Sequence, residues 1–513
     1  MKRASTNLVV VASLLLFLSM VSPYIHAQQT QYSIKDFGAV GDGKTMCTTA
    51  INNAIEKCAD NGGGRVSIPA GVFKSGMILM KTNVELHFET GSTLLASTDD
   101  HDFPLAAHIY AEGATNIAIT GFGTIDGNGE LQKTLIGKPN TGFRKHGILL
   151  VACRQVRIEG IRTINSGTWS QHYLNCEDLL IDRIEVCSHS NNNNDALDIN
   201  GCRRVIISNS IFDTDDDAIT LKSTKGTVTE DVTVTNCVVS SKSNAIKAGT
   251  ESLGGFRNIA INNCVIKPSR HKTQPPWNTS GHGITGITLV IVDGGVMEGV
   301  AISNITIEET LCPLYIRLGN RGRKLSATDP DPPVGKLRNV TISNIVAYNA
   351  GNFSNSITGI PGHYVENITI NNVQFFNTGG LTIRDGWLSG GNLEQLLDLG
   401  VLTGGKYPAD YQKVPEQEKG YPDAREWGYL PSSVFFIRHV KGLSINHLTF
   451  GSNLNDPRIP VIAVDVERFR LVKSIFSGVA APPHFVLLDH VKEFDIEKPL
   501  GWGKNPVIKK VNK

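Results

Sequence analysis

Charge of one sign is nearly balanced in this sequence. Forty-nine Lys and Arg face 48 Asp and Glu across 513 residues, a formal net charge of +1. No field of one sign marks a nucleic-acid binder or an anionic-membrane binder. No Cys-x-x-Cys occurs among the nine cysteines, so zinc-ribbon and iron–sulfur frameworks are not expected. The cysteine count is odd, so at least one thiol stays unpaired within the chain. Glycine and proline, 51 and 22 residues, stay close to average usage, which excludes collagen-like and low-complexity chains. No apolar run beyond the first residues is long enough to span a membrane. Nor does an Asn-Gly hairpin signal recur between apolar runs.

The N-terminus carries a short basic start, Met1-Lys2-Arg3, and an apolar run from Leu8 to Val21. That run is shorter than the roughly 20 residues of a spanning helix and leads to Ala27. It predicts a cleaved signal over residues 1–27 and a secreted or periplasmic mature chain.

One pattern organises the rest: apolar, any, apolar, polar, Asn. It reads Val205 to Asn209, Val232 to Asn236, Ile259 to Asn263, Val300 to Asn304, Val340 to Asn344 and Ile368 to Asn372. Weaker copies start at Ile117, Val156, Leu179 and Leu443. From 156 the starts fall at 179, 205, 232 and 259, gaps of 23, 26, 27 and 27 residues. Later gaps of 41 and 40 imply longer loops. Short alternating strands at this period mark a solenoid, because one coil cannot bury its apolar face and stacked coils can. The pattern predicts an all-β chain folded as a single-stranded right-handed parallel β-helix. Asn at a fixed place fits a turn, where it tolerates left-handed backbone and bonds to the coils above and below.

The expected organisation is an N-terminal cap and first strands over 28–80, a catalytic β-helix over 81–490, and a tail over 491–513. Helical spacing of Ala50-Ile51, Ala54-Ile55 and Cys58 predicts a capping helix from Thr45 to Ala59. Residues 387–433 break the repeat and hold Trp387, Tyr407, Tyr411, Tyr421, Trp427 and Tyr429. This excursion either packs on the solenoid or walls a cleft that stacks sugar rings.

The densest acid group is Asp213-Thr214-Asp215-Asp216-Asp217, one coil after Asn193-Asn194-Asp195 and Asp198. Coils lie about 4.8 Å apart, so these carboxylates meet on one surface. Like charges that close raise at least one pKa, which leaves one carboxyl as acid and another as base. Because neighbours on a regular strand point to opposite sides, Asp216 and Asp217 must sit at a turn or bulge to share a cleft.

The chain here resembles glycoside hydrolase family 28, the polygalacturonases and rhamnogalacturonases. Asn193-Asn194-Asp195 is similar to its Asn-Thr-Asp element and Asp216-Asp217 to its Asp-Asp element. Asn165-Ser166-Gly167-Thr168-Trp169-Ser170-Gln171-His172 is similar to its Asn-Ser-Pro-x-Trp-x-x-His stretch. Asp36 to Gly43 resembles the opening of related β-helix proteins. The resemblance implies an inverting glycosidase on a pectic polysaccharide or oligosaccharide, with Asp216 as acid and Asp195 and Asp217 as base. It calls for no metal and no cofactor. Asn193, Asp198, Lys222, Lys247 and Arg317 are expected to bind substrate, with Arg321 a further candidate. A monomer is expected, with no nucleic-acid partner.

The chain departs from the family after Asp217. Ser243-Asn244-Ala245-Ile246-Lys247 stands where the family carries Gly-His-Gly, and no Arg-Ile-Lys follows. Gly281-His282-Gly283 lies about two coils away. The departure predicts weak action on unsubstituted polygalacturonan and better action on branched or rhamnose-containing pectin or short oligosaccharides. Two other readings stay open: a calcium-dependent polysaccharide lyase with Lys222 or Lys247 as base, and a β-helix that only binds carbohydrate.

Overall fold

The structure, a computed structural model, describes residues 31–132, 144–271, 281–390 and 407–512. The signal expected over 1–27 lies outside the described residues, as does 391–406 of the excursion.

Thirty-five strands hydrogen-bond into one continuous sheet that winds as a right-handed parallel β-helix. The repeat is its register. Val156 pairs with Leu179, Leu179 with Val205, Val205 with Val232, Val232 with Ile259 and Ile259 with Val300. Val340, Ile368 and Leu443 continue the column. Each of these is no more than 3% exposed, so the alternation aims one apolar stripe inward along the whole axis.

The recurring asparagines occupy the expected turn. Asn209, Asn236, Asn263, Asn304, Asn344 and Asn372 all have φ between 52° and 56°. Their amides stack: Asn304 donates to Asn263 at 3.1 Å, Asn344 to Asn304 at 2.9 Å and Asn372 to Asn344 at 2.7 Å. Asparagine is suited twice over, because it enters left-handed backbone at low cost and bonds to its own copy one rung away.

The ends of the solenoid are closed. The helix Thr48–Asp60 buries Ile51, Ala54, Ile55 and Cys58 against the first strands. It begins later than the expected Thr45, because Asp42–Met46 is a strand paired with the strand Gly71–Ser75. Rungs run further in both directions than the expected body. Gln31–Ser33 pairs with Arg65–Ser67, and Ile508–Lys510 pairs with Val486–Leu488 inside the segment expected as a tail. Trp502, 1% exposed, fills the last coil against Phe450, Phe476 and Phe485. All nine cysteines are free thiols, and eight are buried in the core as small apolar groups.

The excursion after the strand Val365–Asn377 forms a small antiparallel sheet from Leu381–Arg384, Trp387–Gly390 and Tyr407–Pro408. Tyr407, Trp427 and Tyr429 are buried in a second apolar cluster with Tyr315 and Phe436, which is the packing role. Tyr421 is different. It is 47% exposed and lies beside Lys247 and Thr250.

Candidate active site

One lateral sheet of the solenoid contains His146–Val151, Gln171–Leu174, Leu197–Asn200, Ile219–Ser223 and Asn244–Ser252. The acid turn lies between Ile211–Thr214 and Ile219–Ser223, where the chain passes from one sheet to the next. Asp216 and Asp217 are therefore off any regular strand, as a shared cleft requires. Backbone bonds fix their height: Ala196 N donates to Asp217 O and Ala218 N to Asn244 O, both at 3.0 Å. Asp195, Asp217 and Asn244 thus form a column on three successive rungs.

The two consecutive acids are turned apart by the loop. Asp216 N donates to Asn194 Oδ1 at 2.9 Å, and the Asp216 carbonyl accepts from Thr214 Oγ1 at 2.8 Å and Ser241 Oγ at 2.7 Å. Its carboxyl is half-buried and accepts from Asp217 N at 2.9 Å and from Asn193 Nδ2 at 3.5 Å. Desolvation, joined by the charges of Asp195 and Asp217, pushes Asp216 up to about 8.

Asp217 is 4% exposed and has the opposite surroundings. Lys247 Nζ donates to Oδ2 at 2.8 Å, and Asn244 Nδ2 to Oδ1 at 2.6 Å. Burial would raise its pKa, but Lys247 and Lys222 outweigh burial and hold it low. Asn244, which stands where the family has histidine, is itself oriented by Thr285 Oγ1 donating to its Oδ1.

The expected substrate-binding residues divide. Lys222 is 5% exposed and lies 3.1 Å from both Asp195 Oδ2 and Asp198 Oδ1, with the Trp169 ring 3.7 Å from Nζ. Burial would lower the Lys222 pKa, and its carboxylate partners hold it well above the usual range. Lys222 and Lys247 thus each pair with acids of the site. Asp198 is fully buried beneath Lys222 and does not reach the cleft. Asp195 is 3% exposed, and burial raises its pKa. Asp195 and Asp198 are both buried, although the sequence places them in the acid group of one surface. Arg317 lies elsewhere, at 2% exposure. It donates to Gly359 O at 2.8 Å, Glu416 O at 2.7 Å and Gln417 O at 3.0 Å, so it anchors the excursion. Arg321 is held by Asp293 at 2.5 Å. His282 sits two rungs from Asp217, with Nδ1 3.1 Å from Glu309 O. Only Asn193, exposed with φ 52°, opens onto the cleft beside Asp216.

That cleft is open, about 320 Å³, and lined by Arg144, His146, Thr168, Trp169 and Asn193. His146, Trp169 and His172 cluster with ring centroids 4.9 to 5.7 Å apart. Burial holds His146 down to about 4 and His172 well below its usual value, so both imidazoles are neutral near pH 7. Sequence reasoning missed Arg144 and His146. The usable signal was register, since His146 opens the strand whose Ile148 pairs with Gln171. Among the described residues, no group of three or more His, Cys, Asp or Glu side chains is arranged to hold a metal ion.

Residues 58–380 match the family model described as "Glycosyl hydrolases family 28". An exo-poly-alpha-D-galacturonosidase of Dickeya chrysanthemi is 27% identical over 323 residues, 49% of this chain and 53% of its own length. The match thus spans about half the length of that relative. Two solved structures share the fold. An exopolygalacturonase of Thermotoga maritima has TM-score 0.57 at 24% identity, covering 68% of this chain and 87% of its own. The family 28 exopolygalacturonase of Yersinia enterocolitica has TM-score 0.59 at 17% identity, covering 92% and 79%. With its acid turns stacked on successive rungs and most of its length matched by the family model, the chain belongs to family 28 of the glycosyl hydrolases.

Proposed function

We propose that this protein is a secreted glycosidase that hydrolyses galacturonate-containing pectic chains, preferring short oligosaccharides or chain ends, with inversion at the anomeric carbon. The observation that carries this reading is the contrast within one turn: Asp217 is held by the Lys247 ammonium at 2.8 Å and the Asn244 amide at 2.6 Å, while among the described residues Asp216 meets only a backbone N–H and the Asn193 amide. Asp216, protonated up to about 8, gives its proton to the departing glycosidic oxygen as the bond to the anomeric carbon breaks. Asp217, kept ionised by Lys247, accepts a proton from water as the water oxygen bonds to that carbon from the opposite side. Asp195 shares the water with Asp217, and Lys222 balances its charge. The activity named for the Dickeya and Thermotoga relatives supports a polygalacturonan-type substrate. The occupied ammonium groups of Lys222 and Lys247 support a preference for short or branched chains over plain polygalacturonan. Secretion rests on the N-terminal apolar run.

The test is turnover on a panel of pectic oligomers with products identified and their anomeric configuration followed by NMR. Asp195→Asn, Asp216→Asn and Asp217→Asn should each lower kcat by at least about a hundredfold. Retained activity in all three would remove the assignment. An ultraviolet-absorbing unsaturated product would replace hydrolysis with elimination, and sugar binding without any product would leave only a carbohydrate-binding role.

A further inference from the structure

The solenoid carries a second open pocket, on a different face from the catalytic turn. In each coil the strand of the cleft sheet turns a corner into a second lateral sheet, as His146–Val151 does into Arg154–Glu159. On that second sheet Gly64–Ile68, Val84–Phe88, Thr115–Gly121, Arg154–Glu159 and Glu177–Asp182 pair in order. Their outward side chains and the adjoining turns line a pocket of about 280 Å³. That volume is at the small end of ligand sites.

Two features make this pocket more than a gap between ion pairs. The first is Phe122, which lines it and is 79% exposed. Its turn is fixed: Phe122 N donates to Phe88 O at 2.9 Å. A side chain at Gly121, where φ is 110°, would strike the Phe88 carbonyl, and one at Gly123 would strike the Ser92 hydroxyl. An aromatic face held outward on such a turn suits stacking against a sugar ring. The second feature is Arg157. Around it the other pairs are closed. Arg65 Nε donates to Glu85 Oε2 at 3.0 Å, and Thr120 Oγ1 donates to Glu85 Oε1 at 2.6 Å. Arg183 pairs with Glu159 and, at 2.6 Å, with Asp182. Arg157 stands between these pairs, 3.8 Å from Glu85 and 3.9 Å from Glu159, beyond hydrogen-bond distance of either. Its planar fork can take an incoming carboxylate without giving up a closer partner. Because Thr120 spends its proton on Glu85, His87 Nδ1, 2.7 Å from Thr120 Oγ1, is the donor there, and Nε2 of the neutral ring is left as an acceptor.

We propose that this pocket is a second carbohydrate-binding site, separate from the catalytic cleft, which holds one acidic sugar unit of a pectic chain. Phe122 stacks on the ring, Arg157 receives the carboxylate and His87 Nε2 accepts from a hydroxyl. The choice of a galacturonate unit rests on the pectic-glycosidase reading, while the pocket and its chemistry do not. The site takes no part in bond cleavage. It keeps a long chain on the protein and so raises the concentration of chain at the cleft. A disaccharide cannot bridge two faces of the solenoid, so its turnover gains nothing from the pocket.

The test is affinity electrophoresis of the full-length protein in gels containing polygalacturonate or its methyl ester, in an Asp216→Asn background so that the polymer stays uncut. Adding Arg157→Gln or Phe122→Ala should weaken retention by polygalacturonate at least about threefold, the scale of one charge-assisted hydrogen bond or one aromatic contact. In the ester gel Phe122→Ala should still weaken retention and Arg157→Gln should not. Arg470→Gln removes an exposed arginine on the strand Ile459–Val472 and should migrate like its parent. With Asp216 intact, both pocket variants should turn over a digalacturonide at the wild-type rate. The proposal is overturned if the pocket variants are retained like their parent, if Arg470→Gln loses as much as Arg157→Gln, if Arg157→Gln loses as much in the ester gel, or if digalacturonide turnover falls along with retention. Absence of hydrolysis of any galacturonide, with retention still dependent on Arg157 and Phe122, would defeat the glycosidase reading and leave the second site standing.

Discussion

Asp216 and Asp217 differ by one position in the chain, yet desolvation pushes Asp216 up to about 8 while Lys247 and Lys222 hold Asp217 below its usual value. The cause is what each carboxylate touches. Asp217 meets an ammonium and an amide; Asp216 meets an asparagine amide, one backbone N–H and two neighbouring negative charges. An acid must be protonated to act, so kcat/KM should fall as pH rises through about 8, the value to which Asp216 is pushed. Lys247 lowers both carboxyls, so Lys247→Met should move both limbs of the pH–rate profile to higher pH. At pH 6 it should also cost at least about tenfold in kcat/KM, since Asp217 loses its main counter-charge. A profile with unmoved limbs would show that Lys247 does not set these protonation states. Both lysines pointed to this coil from sequence, but not their targets. Strand alternation leaves a lysine two directions, and only the packed rungs decide that each meets an acid of its own site.

The acid turn is held as an element from its other side. His189 Nδ1 lies 2.8 Å from Asp215 Oδ1 and its Nε2 3.4 Å from Asp213 Oδ1. Lys242 Nζ lies 3.1 Å from the same Asp215 oxygen, and the His271 ring stacks on His189 at 3.9 Å. Burial would lower the His189 pKa, but the two aspartates overcome it and raise it to about 10. A histidine raised above its unfolded value, about 6.5, contributes stability that is complete below that value. The contribution is lost as pH climbs through about 10. The Tm gap between wild type and His189→Gln should accordingly be widest at or below pH 6.5 and close toward pH 10. A gap constant over that range would show that the imidazolium does not brace the turn. The elements themselves were the readable part of the sequence. A stripe such as Val205, Val232 and Ile259 repeats because each coil must bury the same face, and Asn209, Asn236 and Asn263 repeat because each coil makes the same turn. The cleft wall was hidden for the converse reason. Arg144 and His146 occur once, outside the repeat, and Arg144 reaches Asn192 and Asn193 across 48 and 49 residues of chain. Periodicity carries no trace of such a contact.

Across the whole molecule, stability is carried rung to rung, so the ends matter more than any middle coil. At the C-terminal end, Trp502 packs 5.2 Å from Phe476 and 5.5 Å from Phe485 between ring centroids. Trp502→Ala should remove about 3–5 kcal/mol from the final coils, the usual cost of emptying a buried tryptophan site. Hydrogen exchange should then quicken first in the strand Val486–Ile496, with protection around Asp216 unchanged. Equal loosening throughout would mean that the solenoid opens as one unit.

The two plugs also decide what this chain avoids becoming. Behind the helix Thr48–Asp60 and behind Trp502, the outermost coils present rows of backbone N–H and C=O groups at the usual spacing for another strand. A second molecule could dock there end to end, and its own asparagine column would continue the first. Without its lids the fold is a template for a fibre. The capping helix Thr48–Asp60 covers one such end in a protein built like a segment of filament.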